Sequence, residues 1–226
     1  MTHSYIIEDR FIHWMNVIRN TEDPKTKYDL LEAFWGSQIK SKGWMIEEIK
    51  NIYKNNPSLE KEGVAYVFGG WHGLAAMYII DNLPNIKKVY SIDKDEKCAD
   101  QGSMLTNYDP RIIFLTQDMT KIDEFFYHNF KTTYRDIEIQ EITTLIVNTS
   151  TEHITQEDFN TWVGNIPLNT LVCLQGNNFS SLDDHIRTSE NMKEFLQKNK
   201  MDKVLYSGEL DCVQFTRFME IGYNEL

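Results

Sequence analysis

Gly69, Gly70 and Gly73, with Asp93 twenty residues beyond the last of them, are the residues whose types and spacing point most directly to chemistry. The glycines close the segment Val64-Ala-Tyr-Val-Phe-Gly-Gly-Trp-His-Gly73, and the aspartate closes Val89-Tyr-Ser-Ile-Asp93. A buried strand running into a glycine turn, then a helix, then a second strand ending in a carboxylate is the layout of a site for an adenosine-containing cofactor. Glycine lets the backbone turn sharply and approach a ligand because it has no Cβ to collide with it. A carboxylate at Asp93 can accept hydrogen bonds from two ribose hydroxyls, or alone cap a helix in the charge run Lys94-Asp-Glu-Lys97. Gly69-Gly70 taken alone reads equally as a plain strand-to-helix turn.

The elements that must position these residues alternate from Val64 onward. Strands are expected at Gly63 to Phe68, Lys88 to Ile92, Ile112 to Thr116, Thr144 to Asn148, Thr170 to Gln175, Lys203 to Glu209 and Gln214 to Ile221. Helices are expected between the early ones, at Gly73 to Leu83, Lys94 to Thr106 and Thr120 to Phe130. Such alternation implies an α/β fold with a doubly wound, mostly parallel seven-stranded sheet and helices on both faces. The last two strands are joined by a link too short for a parallel crossover, so they form a C-terminal antiparallel hairpin. Before Pro57 only helical patterns occur: Ser4 to Ile18, a second helix capped by Thr21-Glu-Asp-Pro24 that covers Tyr28, Leu31, Phe34 and Trp35, and a third from Trp44 to Tyr53. Gly36 to Gly43 reads as a break. Residues 1–58 are thus an N-terminal helical segment preceding a domain at 59–226.

The landmarks at successive strand ends give the chain a resemblance to the class I S-adenosylmethionine-dependent methyltransferases, from roughly Leu59 to Leu226. Gly69 and Gly73 match the outer glycines of that family's G-x-G-x-G turn, while Trp71 stands at the middle glycine and Val67 at the acidic residue of the first strand. Asp93 matches the carboxylate that binds the ribose. Gln117-Asp118-Met119 fits the acidic and apolar pair that grips the adenine, and Val147-Asn148-Thr-Ser-Thr-Glu152-His153-Ile154 resembles the segment after the fourth strand. The resemblance implies S-adenosylmethionine as cofactor, held by Gly69, Gly70, Trp71, Gly73, Asp93, Lys94, Asp118, Met119 and Asn148. It also implies that residues 1–58 form a lid over the substrate. Trp71 either packs on the following helix or covers the cofactor, and His72 is either a base or an exposed loop histidine.

Methyl transfer from a sulfonium is an in-line displacement, so the protein must hold a nucleophile about 3–3.5 Å from the methyl carbon and remove its proton where needed. Asn148, Glu152 and His153 are the candidate catalytic residues, with Ser150 beside them; Glu152 and His153 equally suit a cap or a packed turn. Phe34-Trp-Gly-Ser-Gln-Ile-Lys-Ser-Lys-Gly-Trp44 offers aromatics and donors for a small anionic or planar substrate, or a helix turn whose tryptophans complete the core. Gln175-Gly-Asn-Asn178 faces the same cleft, and Arg217 either pins a carboxylate or pairs with Glu209. Phe125, Phe126, Tyr127 and Phe130 read as core.

Composition limits the remaining classes. A net charge of −11 with a pI near 5.0 counts against a nucleic-acid backbone as partner. There is no apolar run of membrane-spanning length and no secretory leader pattern, so a cytoplasmic location with no membrane partner is expected. Cys98, Cys173 and Cys212 are odd in number and form no C-x-x-C pair, so reduced core thiols and no metal are expected. The substrate expected is a small molecule accepting the methyl on oxygen or nitrogen. Two alternatives stand beside it: a non-catalytic methyltransferase-like binding or assembly module, and an enzyme using the sulfonium for non-methyl chemistry. A nicotinamide-dependent oxidoreductase expects G-x-G-x-x-G, which the turn does not supply.

Overall fold

The computed structural model describes residues 8–123, 125–128, 131–134 and 137–225. Seven strands make one sheet in the order β3-β2-β1-β6-β7-β9-β8. They are β1 (Gly63–Phe68), β2 (Ile86–Asp93), β3 (Ile112–Thr116), β6 (Thr143–Asn148), β7 (Leu171–Asn177), β8 (Lys203–Asp211) and β9 (Thr216–Tyr223). All neighbours run parallel except β9, which is antiparallel to both β7 and β8. The expected doubly wound sheet and closing hairpin are both present. A separate two-stranded ribbon of β4 (Lys131–Tyr134) and β5 (Ile137–Gln140), which the sequence reading does not anticipate, lies between β3 and β6 in the chain.

Alternation within the strands explains the layers. Ala65 and Val67 of β1 join Leu145 and Val147 of β6, and Cys173 of β7, in one apolar cluster. Helices α1 (Glu8–Asn20), α2 (Pro24–Ala33), α3 (Gly36–Asn55) and α4 (Leu74–Asn82) contribute Trp14, Leu30, Met45 and Met77 to it. The intervening residues Tyr66, Phe68, Ile146 and Leu174 face a second cluster, which holds Phe159 and Trp162 of α6 (Gln156–Gly164) and Phe195 of α7 (Met192–Asn199). Strands buried on both faces are what a parallel sheet covered by crossover helices requires. The remaining helix, α5 (Glu96–Leu105), packs on β2 and β3.

The N-terminal and linking segments depart from expectation. Gly36 to Gly43 is not a break but the first part of the 20-residue α3. Gly36 sits at the helix start, where its cost is small, and Gly43 is buried, so packing offsets the roughly 1 kcal/mol cost of a mid-helix glycine. The helix expected at Thr120 to Phe130 is absent among the described residues: single 3-10 turns occur at Met119–Lys121 and Phe126–His128, and residues 124, 129 and 130 lie outside the description. Asp118 and Asp123 side chains accept from the amides that follow them, closing short turns in place of a longer helix. Of the aromatics there, Tyr127 is buried but Phe125 is exposed. Likewise Trp14 and Ile18 of α1 are buried while Phe11 and Met15 are exposed, and the part of the first helix expected before Glu8 lies outside the described residues.

Candidate functional site

Strand register brings the carboxyl ends of β1, β2 and β6 level, with Phe68 opposite both Ile92 and Asn148. Gly69, Trp71 and Gly73 all follow with positive φ, at 60°, 45° and 81°. The turn therefore keeps a left-handed backbone at the position where a tryptophan stands in place of glycine, a conformation that costs an L-residue about 1–2 kcal/mol. Asp93 offsets that cost, because the Trp71 amide donates to its Oδ2 at 3.0 Å and the Asp95 amide donates to its Oδ1 at 3.1 Å. Gly70 has no strained angle, but a Cβ there would lie 2.2 Å from Ser91 Oγ. Its missing Cβ suits the close approach to β2, where its amide donates to the Ile92 carbonyl at 3.0 Å.

Trp71 is half-buried and its ring lies tilted against that of His72, with centroids 4.7 Å apart. His72 is 2% exposed, not the exposed loop residue that was one of the two expectations, and neither ring nitrogen has a partner. Burial pushes its pKa down to about 4, so the ring is neutral at pH 7. Asp93 is half-buried and Lys94 exposed. A carboxylate offers about four acceptor positions, so Asp93 retains capacity beyond its two amides.

On the neighbouring strand end, Asp118 Oδ1 accepts from the amide and hydroxyl of Thr120 at 3.0 and 2.9 Å, and the amide bond chiefly holds the carboxyl pKa below its usual value. Asn148, 1% exposed, reaches the Met119 sulfur with its amide at 3.7 Å and accepts from the Ser150 amide at 2.9 Å. Asp118, Met119 and Asn148 thus form one contact chain beside the glycine turn.

Beyond Asn148 the chain makes a 3-10 turn, Thr151–His153, that carries Glu152 into the interior, 3% exposed. One Glu152 oxygen accepts from the Asn177 side chain, and the other has no partner. His153 turns outward, its Nδ1 3.2 Å from Asp184 Oδ2. Two buried cations lie on the same side. Lys42 of α3 donates to Gln38 Oε1 at 2.9 Å, and burial, with the Arg217 charge, pushes its pKa down to about 7 against the opposing pull of Glu152. Arg217 of β9 donates to the Thr149 carbonyl at 3.2 Å, and its Nε has no partner. No salt bridge joins Arg217 to Glu209 among the described residues; Glu209 stands opposite Phe218 in the hairpin. Gln175, fully buried, ties β7 to α3 by donating to the Ser41 carbonyl at 3.1 Å, leaving its Oε1 unpartnered.

The structure therefore gathers the sequence candidates into two adjoining groups, the glycine turn with Asp93, Asp118 and Met119, and the Asn148-to-His153 segment with the buried cations. Sequence reading does not single out His185 or Arg187, whereas Asn177 belongs to the Gln175-to-Asn178 segment expected at the cleft. Arg187, buried, donates to Asn199 Oδ1 at 2.6 Å and to the Thr151 carbonyl at 3.3 Å, and its amide donates to the Glu152 carbonyl at 3.0 Å. It clamps the turn that carries Glu152. No spacing signal marks it, because the loop that brings it there has no periodicity.

No family model matches the chain, and no curated protein matches its sequence. Solved structures do match its shape. The N-methyltransferase NodS from Bradyrhizobium japonicum WM9, in complex with S-adenosyl-L-homocysteine, superposes with a TM-score of 0.58 over 94% of this chain and 98% of that one, at 7% identity. Fibrillarin in its complex with Nop5p matches with a TM-score of 0.52 over 72% and 73% of the two chains, at 16% identity. The S-adenosylmethionine-dependent methyltransferase SibL in its apo form gives 0.52 over 98% and 71%, at 8% identity. The chain has the Rossmann-like fold of the S-adenosylmethionine-dependent methyltransferases.

Proposed function

We propose that the chain is an S-adenosylmethionine-dependent methyltransferase acting on an oxygen or nitrogen of a small-molecule acceptor that carries an anionic group. The observation that carries this reading is the shared carboxyl edge of β1, β2, β3 and β6, where the Gly69–Gly73 turn, Asp93, the Asp118-Met119 pair and Asn148 come together. The fold supports the cofactor, since open α/β sheets bind ligands outside the carboxyl ends of their strands.

The residues at the first group fit that cofactor. Asp93 has acceptor capacity for ribose hydroxyls, Asp118 and Met119 offer an acceptor and an apolar contact to adenine, and the turn from Gly69 to Gly73, with Lys94 and Asn148 at its flanks, faces the methionine end. When bound, S-adenosylmethionine supplies an electrophilic methyl group on a sulfonium. Trp71 and His72 shield that end from water, and neutral His72 adds no charge that would repel the sulfonium.

On the acceptor side, Lys42 and Arg217 attract an anionic group, because neither has a carboxylate in salt-bridge contact among the described residues. Asn148 orients the nucleophile, with the buried Glu152 and the outward-turned His153 on the segment that follows it. The N-terminal helical segment acts as the lid through Lys42 of α3. A nucleic-acid acceptor fits a chain of net charge −11 poorly.

Thermal unfolding with S-adenosylhomocysteine and with NAD tests the cofactor, and transfer of a tritiated methyl group to a panel of small carboxylates tests the acceptor. A rise in melting temperature with S-adenosylhomocysteine alone is expected. No rise with either nucleotide would turn the reading to a non-catalytic binding module, and methylthioadenosine as product would turn it to non-methyl sulfonium chemistry.

A further inference from the structure

Glu152, His153 and His185 come from two segments that meet beyond the end of β6, and each offers a ligand atom within 4.8 Å of the others. Their surroundings prepare them for one task. His185 Nδ1 lies 2.6 Å from the Phe179 carbonyl oxygen, and a carbonyl can only accept, so Nδ1 carries the proton and Nε2 keeps its lone pair. His153 Nδ1 lies 3.2 Å from Asp184 Oδ2, so Nδ1 faces an acceptor and Nε2 is the nitrogen left for a further partner. The two rings stand nearly perpendicular, 87° apart, with centroids separated by 4.7 Å. Glu152 Oε2 is buried and without a partner, while its other oxygen is fixed by Asn177. An imidazole whose second nitrogen is held by a carbonyl or a carboxylate is the arrangement that orients histidines for a metal.

We propose that Glu152, His153 and His185 bind one divalent transition-metal ion, of the zinc, iron or cobalt class. Two imidazoles and one carboxylate are the donor set such ions take while leaving positions open for exogenous ligands. Charge is consistent with an ion there, since Glu152 binds it directly and Asp184 acts through His153. Lys42 and Arg187 act electrostatically on Glu152 as well, which holds the affinity below that of a structural zinc site. His153 has 37% of its side chain exposed, which gives an ion a route from solvent. An ion there departs from the expectation of no metal, since His185 lies 32 residues beyond His153, a spacing that matches no sequence motif. The site stands on its own geometry, and only its use rests on the methyltransferase reading: an open metal position beside the buried cations would hold an anionic oxygen of the acceptor.

The test is titration of the tag-free, EDTA-stripped full chain with Co²⁺, followed by visible absorption and by displacement with Zn²⁺. One saturable equivalent with ligand-field bands is expected in the wild type. His185→Ala and Glu152→Gln should each weaken binding at least about tenfold, with Asp184→Asn giving a smaller loss; melting temperatures identify any variant that fails to fold, and His185→Gln then replaces it. Absence of a saturable equivalent in the wild type overturns the proposal, as does an unchanged Co²⁺ spectrum and affinity in folded His185 and Glu152 variants. Binding of S-adenosylhomocysteine measured on the same metal-free sample separates the two readings: cofactor binding without Co²⁺ binding removes the metal site and leaves the proposed function intact.

Discussion

Replacing Lys42 with methionine should stabilise the protein, and by an amount that depends on pH. The side chain is 5% exposed, and its pKa falls from 10.5 to about 7 because burial and Arg217 disfavour the charged form. Between those two values the unfolded chain binds the proton and the folded chain does not, so wild-type stability rises with pH across that window, by up to about 1.4 kcal/mol per pH unit. Below pH 7 the whole penalty is present, with a ceiling of about 5 kcal/mol. Methionine fills similar space without the charge but loses the bond to Gln38 Oε1, so the net gain at pH 6 should be about 2–4 kcal/mol, or roughly 5–10 °C in melting temperature. Urea unfolding of Lys42→Met and wild type at pH 6, 8 and 9.5 measures the difference. It should be largest at pH 6 and shrink steadily. A variant equally or less stable than wild type at pH 6, or a gain that does not change with pH, would refute the assignment of Lys42 as a buried, unpaired cation.

Asp93→Ala should weaken S-adenosylhomocysteine by about 30- to 200-fold in calorimetry, from the loss of hydrogen bonds to the ribose worth about 2–3 kcal/mol together; an unchanged Kd would sink that role. Gly70→Ala brings a Cβ to 2.2 Å from Ser91 Oγ, so it should lower stability by about 1–3 kcal/mol in urea unfolding, whereas a neutral result would mean the β1–β2 approach can relax. Glu220, 1% exposed, has its pKa raised to about 8 by burial, so the folded chain keeps a proton that the unfolded chain releases, and stability falls as pH rises from about 4.5 to 8. Glu220→Gln should remove that fall, gaining on wild type between pH 5 and 8, as melting curves across that range would show.

The sheet was legible because its strands are short apolar runs bounded by turn residues, and the hairpin because four residues cannot span a crossover. The N-terminal and linking segments were less so. Gly36 and Gly43 carry a breaker signal that burial in α3 overrides, and Asp118 and Asp123 close local turns where apolar periodicity alone favours a helix. At the site, the turn and Asp93 are adjacent through strand pairing and could be placed from spacing. Lys42, Gln175 and Arg217 meet only because α3 lies across the ends of β7 and β9, a tertiary contact that leaves no period in the sequence. His185 and Arg187 reach the Glu152 turn from an irregular loop, which sequence patterns do not describe.

In a crystal structure with S-adenosylhomocysteine the ribose hydroxyls should lie within hydrogen-bond distance of Asp93, the adenine beside Asp118 and Met119, and the sulfur facing Asn148. A ligand bound elsewhere, or an Asp93 carboxylate still engaged only with the Trp71 and Asp95 amides while the ligand is present, would contradict this placement of the cofactor.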